Sequence, residues 1–234
     1  MARVMRRLAI DTTGRGGSVA IARDETVVAE RVHDEAQGYA EHLFGLLDGA
    51  LADAGAARSD VDEILVVSGP GSFTGLRIGV MTAKTLARAT GWTLRAAPTL
   101  GLIATAASEP SLAVAPAGGG HVWVSSVDDA ARARPDDPIR RVAVEDLDPG
   151  DRTLLCADSA TAGLMAATQE VRVQTTDSLA RLLLRAAAHG HPVVTAEDPV
   201  SFVPEYVSPS QAERVHGVDL REELSRPIRP RGWT

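Results

Sequence analysis

Residues 64–80 read Ile-Leu-Val-Val-Ser-Gly-Pro-Gly-Ser-Phe-Thr-Gly-Leu-Arg-Ile-Gly-Val. The run Ile64 to Val67 is continuously apolar, the pattern of a strand buried on both faces. Ser68 to Gly75 then packs three glycines and a proline into one short connection. Beyond it a helix is predicted from Leu76 to Ala89, stopping near Gly91. Two readings of the connection stand side by side. Gly71, Ser72, Thr74 and Gly75 at a helix N-terminus could cradle a phosphate, because the first amides of a helix are unsatisfied and electropositive. Equally, the glycines could simply let the helix approach the sheet closely. It is not a Walker A loop, since no Gly-Lys-Ser/Thr closes it, and its glycines lack dinucleotide-fingerprint spacing.

Working outward, Leu8-Ala9-Ile10 is a short strand ending in Asp11-Thr12-Thr13. An acidic residue followed by hydroxyl residues at a strand end could face a metal–phosphate group, or could be an ordinary polar turn. Ser18 to Ala22 and Thr26 to Val32 read as two further strands. Tyr39, Leu43, Leu46, Leu47, Ala50, Leu51 and Ala54 mark one face of a helix. Thr93 to Ala97 reads as a strand and Thr99 to Ala107 as a helix. The order βββαβαβα predicts an α/β fold, a mixed sheet covered by helices.

The signal fades after residue 107. Ala115 to Gly120 reads as small and flexible. Strands are predicted at Val122–Val127, Ile139–Val144 and Leu154–Ala157, helices at Ser159–Ala167 and Ser178–Ala188, and an apolar run at Val193–Ala196. The second half could be a worn structural copy of the first.

The 234 residues carry a net charge of −7 and are 44% hydrophobic and 3% aromatic. That balance argues for a folded chain and against a broad electrostatic grip on nucleic acid. Cys156 stands alone, which excludes an internal disulfide framework or a multi-cysteine metal site. No apolar run approaches the ~20 residues of a membrane span, and the basic start leads directly to Asp11, so a cytoplasmic protein with no membrane contact is expected. Cys156 reads as a small buried hydrophobe, His189-Gly190-His191 as a solvated turn after a helix, His42 as a surface or interface residue, and the pairs Asp128-Asp129 and Asp136-Asp137 as solvated loops.

Ala9 to Thr13 with Gly17 to Ala20, then Gly69 to Gly79, closely resemble the bacterial TsaB (YeaZ) family. Pro98-Thr99-Leu100 fits the same family, and Pro204-Glu205-Tyr206-Val207 is similar to its C-terminal motif. The resemblance implies a two-lobed actin/hexokinase-like (ASKHA, ribonuclease H-like) fold. Residues 1–107 would form the first lobe, 108–199 a degenerate second lobe, and 200–234 a segment packing back on the first lobe with a frayed tail. It implies a non-catalytic subunit for making N6-threonylcarbamoyladenosine at position 37 of ANN-decoding tRNAs. The partners would be the paralogue TsaD and the ATPase TsaE, with a homodimer as a further option. Transfer RNA would be reached only through the complex, and ATP or ADP and a metal ion would sit in the partner subunits.

TsaD-type sequences carry Asn-His-x-x-x-His on the helix after the fifth strand. The matching positions here are Thr99 and Ile103, and an isoleucine cannot ligate a metal. A metallopeptidase would need the same ligands. The chain also departs from TsaB at Tyr39-Ala40-Glu41, at Pro116-Ala117-Gly118 and at Ser208. By face geometry, Phe44, Leu47, Leu51, Val80, Ala83, Lys84 and Leu86 are the expected partner-facing residues, with Gly45, Gly49 and Ala83 allowing close helix approach. The alternative is an actin-like ATPase or kinase using Asp11, Thr12, Thr13 and the Gly71–Gly75 turn, with Ala157-Asp158-Ser159 as its second-lobe counterpart.

Overall fold

The computed structural model describes residues 4–14, 16–33, 39–128, 138–168 and 171–204, and of 39–41 only the backbone. Ser208, residues 205–207 of the C-terminal motif, the tail 226–234 and Asp129, Asp136 and Asp137 fall outside this set.

Three strands open the chain as a meander: β1 (Arg6–Asp11), β2 (Gly17–Arg23) and β3 (Thr26–His33). Then come α1 (Tyr39–Asp53), β4 (Glu63–Val67), α2 (Phe73–Thr90), β5 (Thr93–Ala97) and α3 (Thr99–Ala104). The second half supplies β6 (Ser111–Gly118), β7 (His121–Val127), β8 (Arg140–Ala143), β9 (Thr153–Cys156), α4 (Ser159–Thr168) and β10 (Val173–Thr175). α5 (Leu179–Ala188) and β11 (Thr195–Glu197) follow.

The first sheet runs β11-β5-β4-β1-β2-β3 and the second β10-β9-β6-β7-β8. In each, a meander of three antiparallel strands is extended by parallel strands beside its first member. The worn copy expected from the sequence is therefore real at the level of topology: β6 to β10 repeat β1 to β5. This is the two-lobed actin/hexokinase-like arrangement.

Alternation along the central strands builds the layers. Ala9 and Leu65 face an inner core with Leu100, Ile103, Leu183, Trp123 and Leu155, where α3 and α5 lie between the sheets. Ile10 and Val66 face outward into a second core with Leu43, Leu47 and Val80 of α1 and α2. Leu112, Leu154 and Met165 form a third under α4. Burial on both faces is why β4 reads as an unbroken apolar run.

Two expectations need correction, and one strand is new. Residues 115–120, read as a flexible stretch, belong mostly to β6, the central strand of the second sheet; only the tip Gly119–Gly120 is turn, with positive φ from Gly118 through Gly120 (71°, 60° and 72°). Alanine has little strand preference of its own, and here packing decides. β10 is a strand that the sequence does not announce, because it carries too few apolar residues. The lobe boundary also moves: α5, expected in the second lobe, lies against β1, β2 and β4, and β11 pairs with β5. The chain thus returns to the first sheet well before position 200. Glu30 on β3 fastens α5 by accepting from Arg181 Nε at 2.8 Å and from Ser178. No described helix is long and apolar enough to cross a membrane.

Candidate functional site

The glycine-rich connection and the β1 turn meet at the ends of neighbouring strands. α2 starts three residues earlier than its periodicity suggests, because Ser72 caps it: Gly75 N donates to Ser72 Oγ at 3.2 Å. The two turns are then knitted together. Ser72 N donates to the Thr13 carbonyl at 2.8 Å, and Thr12 Oγ1 donates to the Gly75 carbonyl at 2.6 Å. Thr13 donates to Asp11 Oδ1 twice, from its amide at 2.8 Å and its hydroxyl at 2.7 Å.

This geometry shows what the glycines of the loop do. A Cβ on Gly75 would stand 1.9 Å from the Thr12 carbonyl oxygen; on Gly79, 2.2 Å from Thr12 Oγ1; on Gly71, 2.6 Å from both Thr13 Cβ and its carbonyl. The space that a phosphate cradle would leave open is filled by the backbone and side chains of Thr12 and Thr13. Of the candidate hydroxyls for phosphate contact, Thr12 and Thr13 are buried inside the joint, whereas Ser72, which accepts from Gly75 N, and Thr74 are exposed. These contacts account for the glycines by the close packing of the two turns.

Asp11 is 7% exposed. Burial pushes its carboxyl up to about 6, against the pull of the two Thr13 donors, and the negative charge of Asp158 adds to the rise. Asp158 comes from the second lobe, where it caps α4 by accepting from Thr161 N at 2.7 Å. The charge of Asp158 thus reaches Asp11 from the other sheet, the relative placement that the nucleotide-enzyme alternative uses.

Thr99 and Ile103 are 1% and 0% exposed on α3, inside the inner core. Thr99 Oγ1 donates to the Pro70 carbonyl at 2.7 Å, and its amide donates to Gly69 O at 2.7 Å. A metal held in the TsaD manner does not fit these two side chains. Among the described residues no three His, Cys, Asp or Glu side chains gather as a metal site. Cys156 is fully buried and its thiol is pushed up to about 12, chiefly by burial. His189 Nδ1 lies 2.8 Å from the Arg185 carbonyl at the end of α5, and burial lowers His191.

The partner-facing set divides. Val80 and Ala83 are 0% exposed, and Leu47 and Leu51 are 3% and 5%; all four point into the core beneath α1 and α2 rather than outward. The helical stripe exists, but these members form its buried side, not its free side. Phe44, 51% exposed, is available, and Leu86 is partly so. Lys84 already holds the chain's return path, donating to the carbonyls of Phe202 at 2.5 Å and Val200 at 3.3 Å. Gly49 is covered by the Arg31 side chain on its way to Asp53, whereas Gly45 faces open space. Met81, 56% exposed, joins the outer face, one turn from Lys84; its exposure is what sequence reasoning misses. His42 sits beside His33 with ring centres 5.1 Å apart.

Comparison with known proteins places these features. The family described as TsaD: tRNA N6-adenosine threonylcarbamoyltransferase matches residues 26–181. The tRNA threonylcarbamoyladenosine biosynthesis protein TsaB of Bacillus subtilis is 40% identical over 80 residues, 34% of this chain and 35% of that protein. TsaB of Escherichia coli is 38% identical over 85 residues, 36% of each. The aligned stretch thus spans only about a third of these relatives. A solved structure of YeaZ from Pseudomonas aeruginosa superposes with a TM-score of 0.65 at 22% identity, covering 87% of this chain and all of that one. That likeness establishes the fold.

Proposed function

Because this chain belongs to the TsaD threonylcarbamoyltransferase family, on its TsaB/YeaZ branch, we propose that it serves tRNA threonylcarbamoyladenosine formation as a non-catalytic subunit. It pairs with a TsaD-type transferase, which supplies the metal, the nucleotide and the contact with tRNA, and a TsaE-type ATPase joins the pair. The observation that carries the reading is the identity and burial of Thr99 and Ile103. A threonine whose hydroxyl is tied to Pro70 and an isoleucine in the core replace the two imidazoles of the transferase. The closed joint between the β1 turn and α2 argues the same way for the phosphate region.

What remains is shape. Leu47, Leu51, Val80 and Ala83 lock α1 and α2 to the sheet from beneath, which keeps the outer face rigid. Phe44 on that face offers a half-exposed aromatic anchor of the kind that dominates association energies. A rigid face with little side-chain entropy left to lose is a good support for holding a partner in one arrangement.

The test is reconstitution. Purified TsaD- and TsaE-type partners, the threonylcarbamoyl donor and an ANN-decoding tRNA are combined with and without this chain. Modification is expected only when both this chain and the transferase are present. Modified adenosine formed with this chain as the sole transferase would overturn the reading, as would tight ATP binding with turnover by the isolated protein.

A further inference from the structure

His33 closes β3, and His42 lies in the opening turn of α1. The pairing role proposed above uses neither side chain. Their rings meet with centres 5.1 Å apart and planes inclined at 40°. Aromatic rings in simple contact favour offset-parallel or edge-to-face arrangements, and this tilt is neither. The separation matches a different arrangement. An imidazole nitrogen binds Zn²⁺ at about 2.1 Å, which sets the ring centre about 3.2 Å from the ion and two rings at the tetrahedral angle about 5.2 Å apart. Two neighbouring rings on an octahedral ion would stand closer, at about 4.5 Å.

The backbone holds the pair in place before any ion arrives. His33 is paired with Gly17 of β2. α1 packs on β3, and Leu43, next to His42, shares the outer core with Ala29 of β3. His33 is half-buried and His42 exposed, so an ion reaches both from solvent. Ligands already set at the chelating separation lose little freedom on binding. The other histidines with described ring contacts are engaged locally. His189 Nδ1 lies 2.8 Å from the Arg185 carbonyl, His121 Nδ1 lies 2.7 Å from the Gly119 carbonyl, and His191 Nδ1 accepts from Val193 N at 3.2 Å.

We infer that His33 and His42 form a two-imidazole site for Zn²⁺ that clasps the end of β3 to the start of α1. Among the described residues no cluster of three ligating side chains forms, so water fills the remaining positions of the ion. Imidazole suits zinc, whereas Mg²⁺ and Ca²⁺ take oxygen ligands. The ion is structural: it fixes the helix that carries Phe44, two residues further along, and takes no part in group transfer. The inference is independent of the pairing role.

The experiment titrates ZnCl₂ into the full chain, free of any affinity tag and stripped with a chelator, by isothermal calorimetry. Expected is one saturable site per chain, and no such isotherm with MgCl₂. His33→Gln and His42→Gln should each weaken binding by at least about tenfold, because even changes outside the ligand shell cost about 10–100-fold. His189→Gln should leave it unchanged. Zinc should raise the Tm of the parent chain but not of the first two variants, since an ion that binds only the folded state stabilises it. Circular dichroism checks that each variant is folded. Nuclear magnetic resonance of the parent chain needs no variant: the ring signals of His33 and His42 should be those that move with zinc. Absence of saturable zinc binding, or binding that persists in both His33→Gln and His42→Gln, would overturn the inference. Loss of binding in His189→Gln would overturn it too, by moving the site to the turn after α5, as would one ion per two chains, by making the ion a bridge between copies.

Discussion

Gly75→Ala tests the joint between the β1 turn and α2 directly. The added methyl would stand 1.9 Å from the Thr12 carbonyl oxygen, and real Cβ atoms essentially never come within 3.0 Å. The contact is with backbone on both sides, so no side chain can rotate away. Relief requires the start of α2 to move about 1 Å off the strand end, an overpacking strain of about 1–3 kcal/mol. The same movement stretches two interturn hydrogen bonds, Thr12 Oγ1 to Gly75 O at 2.6 Å and Ser72 N to Thr13 O at 2.8 Å, each worth about 1 kcal/mol. Alanine's better helix propensity returns up to about 1 kcal/mol. The net expectation is a loss of about 3 kcal/mol, or a Tm lower by about 10 °C in a chain of this size. Urea and thermal unfolding followed by far-ultraviolet circular dichroism measure it. Gly45→Ala is the internal control: that position is helical, exposed and has nothing within 4 Å of an added methyl, so it should gain up to about 1 kcal/mol. If the two variants are equally stable, the packing account of the glycine-rich loop is wrong and a ligand cradle regains its standing.

The remaining expectations follow from other parts of the molecule. Asp11 is raised from 3.8 to about 6 by burial, so its contribution to stability is fully present below pH about 4 and lost as pH rises through about 6; Asp11→Asn should remove up to about 3 kcal/mol of that slope, seen as a flatter difference in urea midpoint between pH 4 and 7. Glu30 and Arg181 tie β3 to α5; a double-mutant cycle with Glu30→Gln and Arg181→Met should return a coupling of about 1 kcal/mol, and zero coupling would make the pair ornamental. Burial alone would raise the Glu30 carboxyl, but Arg181 and Ser178 hold it below its ordinary 4.5, so that coupling should fade as pH falls toward and below that value. Phe44→Asp should leave the fold intact and weaken association with a TsaD-type partner by about 2 kcal/mol, roughly thirtyfold in Kd, by isothermal titration.

The first lobe is legible because its residues speak redundantly. β4 shows an unbroken apolar run, α1 and α2 show clean helical stripes, and the glycines between them mark a specified turn. The second lobe repeats the same topology with weaker words: three of the eight residues of β6 are alanine and two more are Pro116 and Gly118, and β10 spans three residues of which none is buried. Such strands are held by their neighbours, which a one-dimensional pattern does not display. The glycine-rich loop illustrates a different limit. Its composition is informative, but a phosphate cradle and a tight packing joint make the same demand for glycine. Only the position of Thr12 and Thr13 against those glycines separates them. The outer face of α2 is hidden for the opposite reason: Val80 and Met81 are adjacent in sequence, yet one is fully buried and the other more than half exposed.

Lys84 is the only lysine in the 234 residues, and it clasps the returning chain through two carbonyls. Every acylating or alkylating reagent selective for side-chain amines therefore has a single address in this protein. Neutralising that one ammonium strips the clasp of its charge and leaves it fewer protons to share. Acylating that nitrogen would leave the returning chain held at α2 chiefly by the buried Phe202 ring.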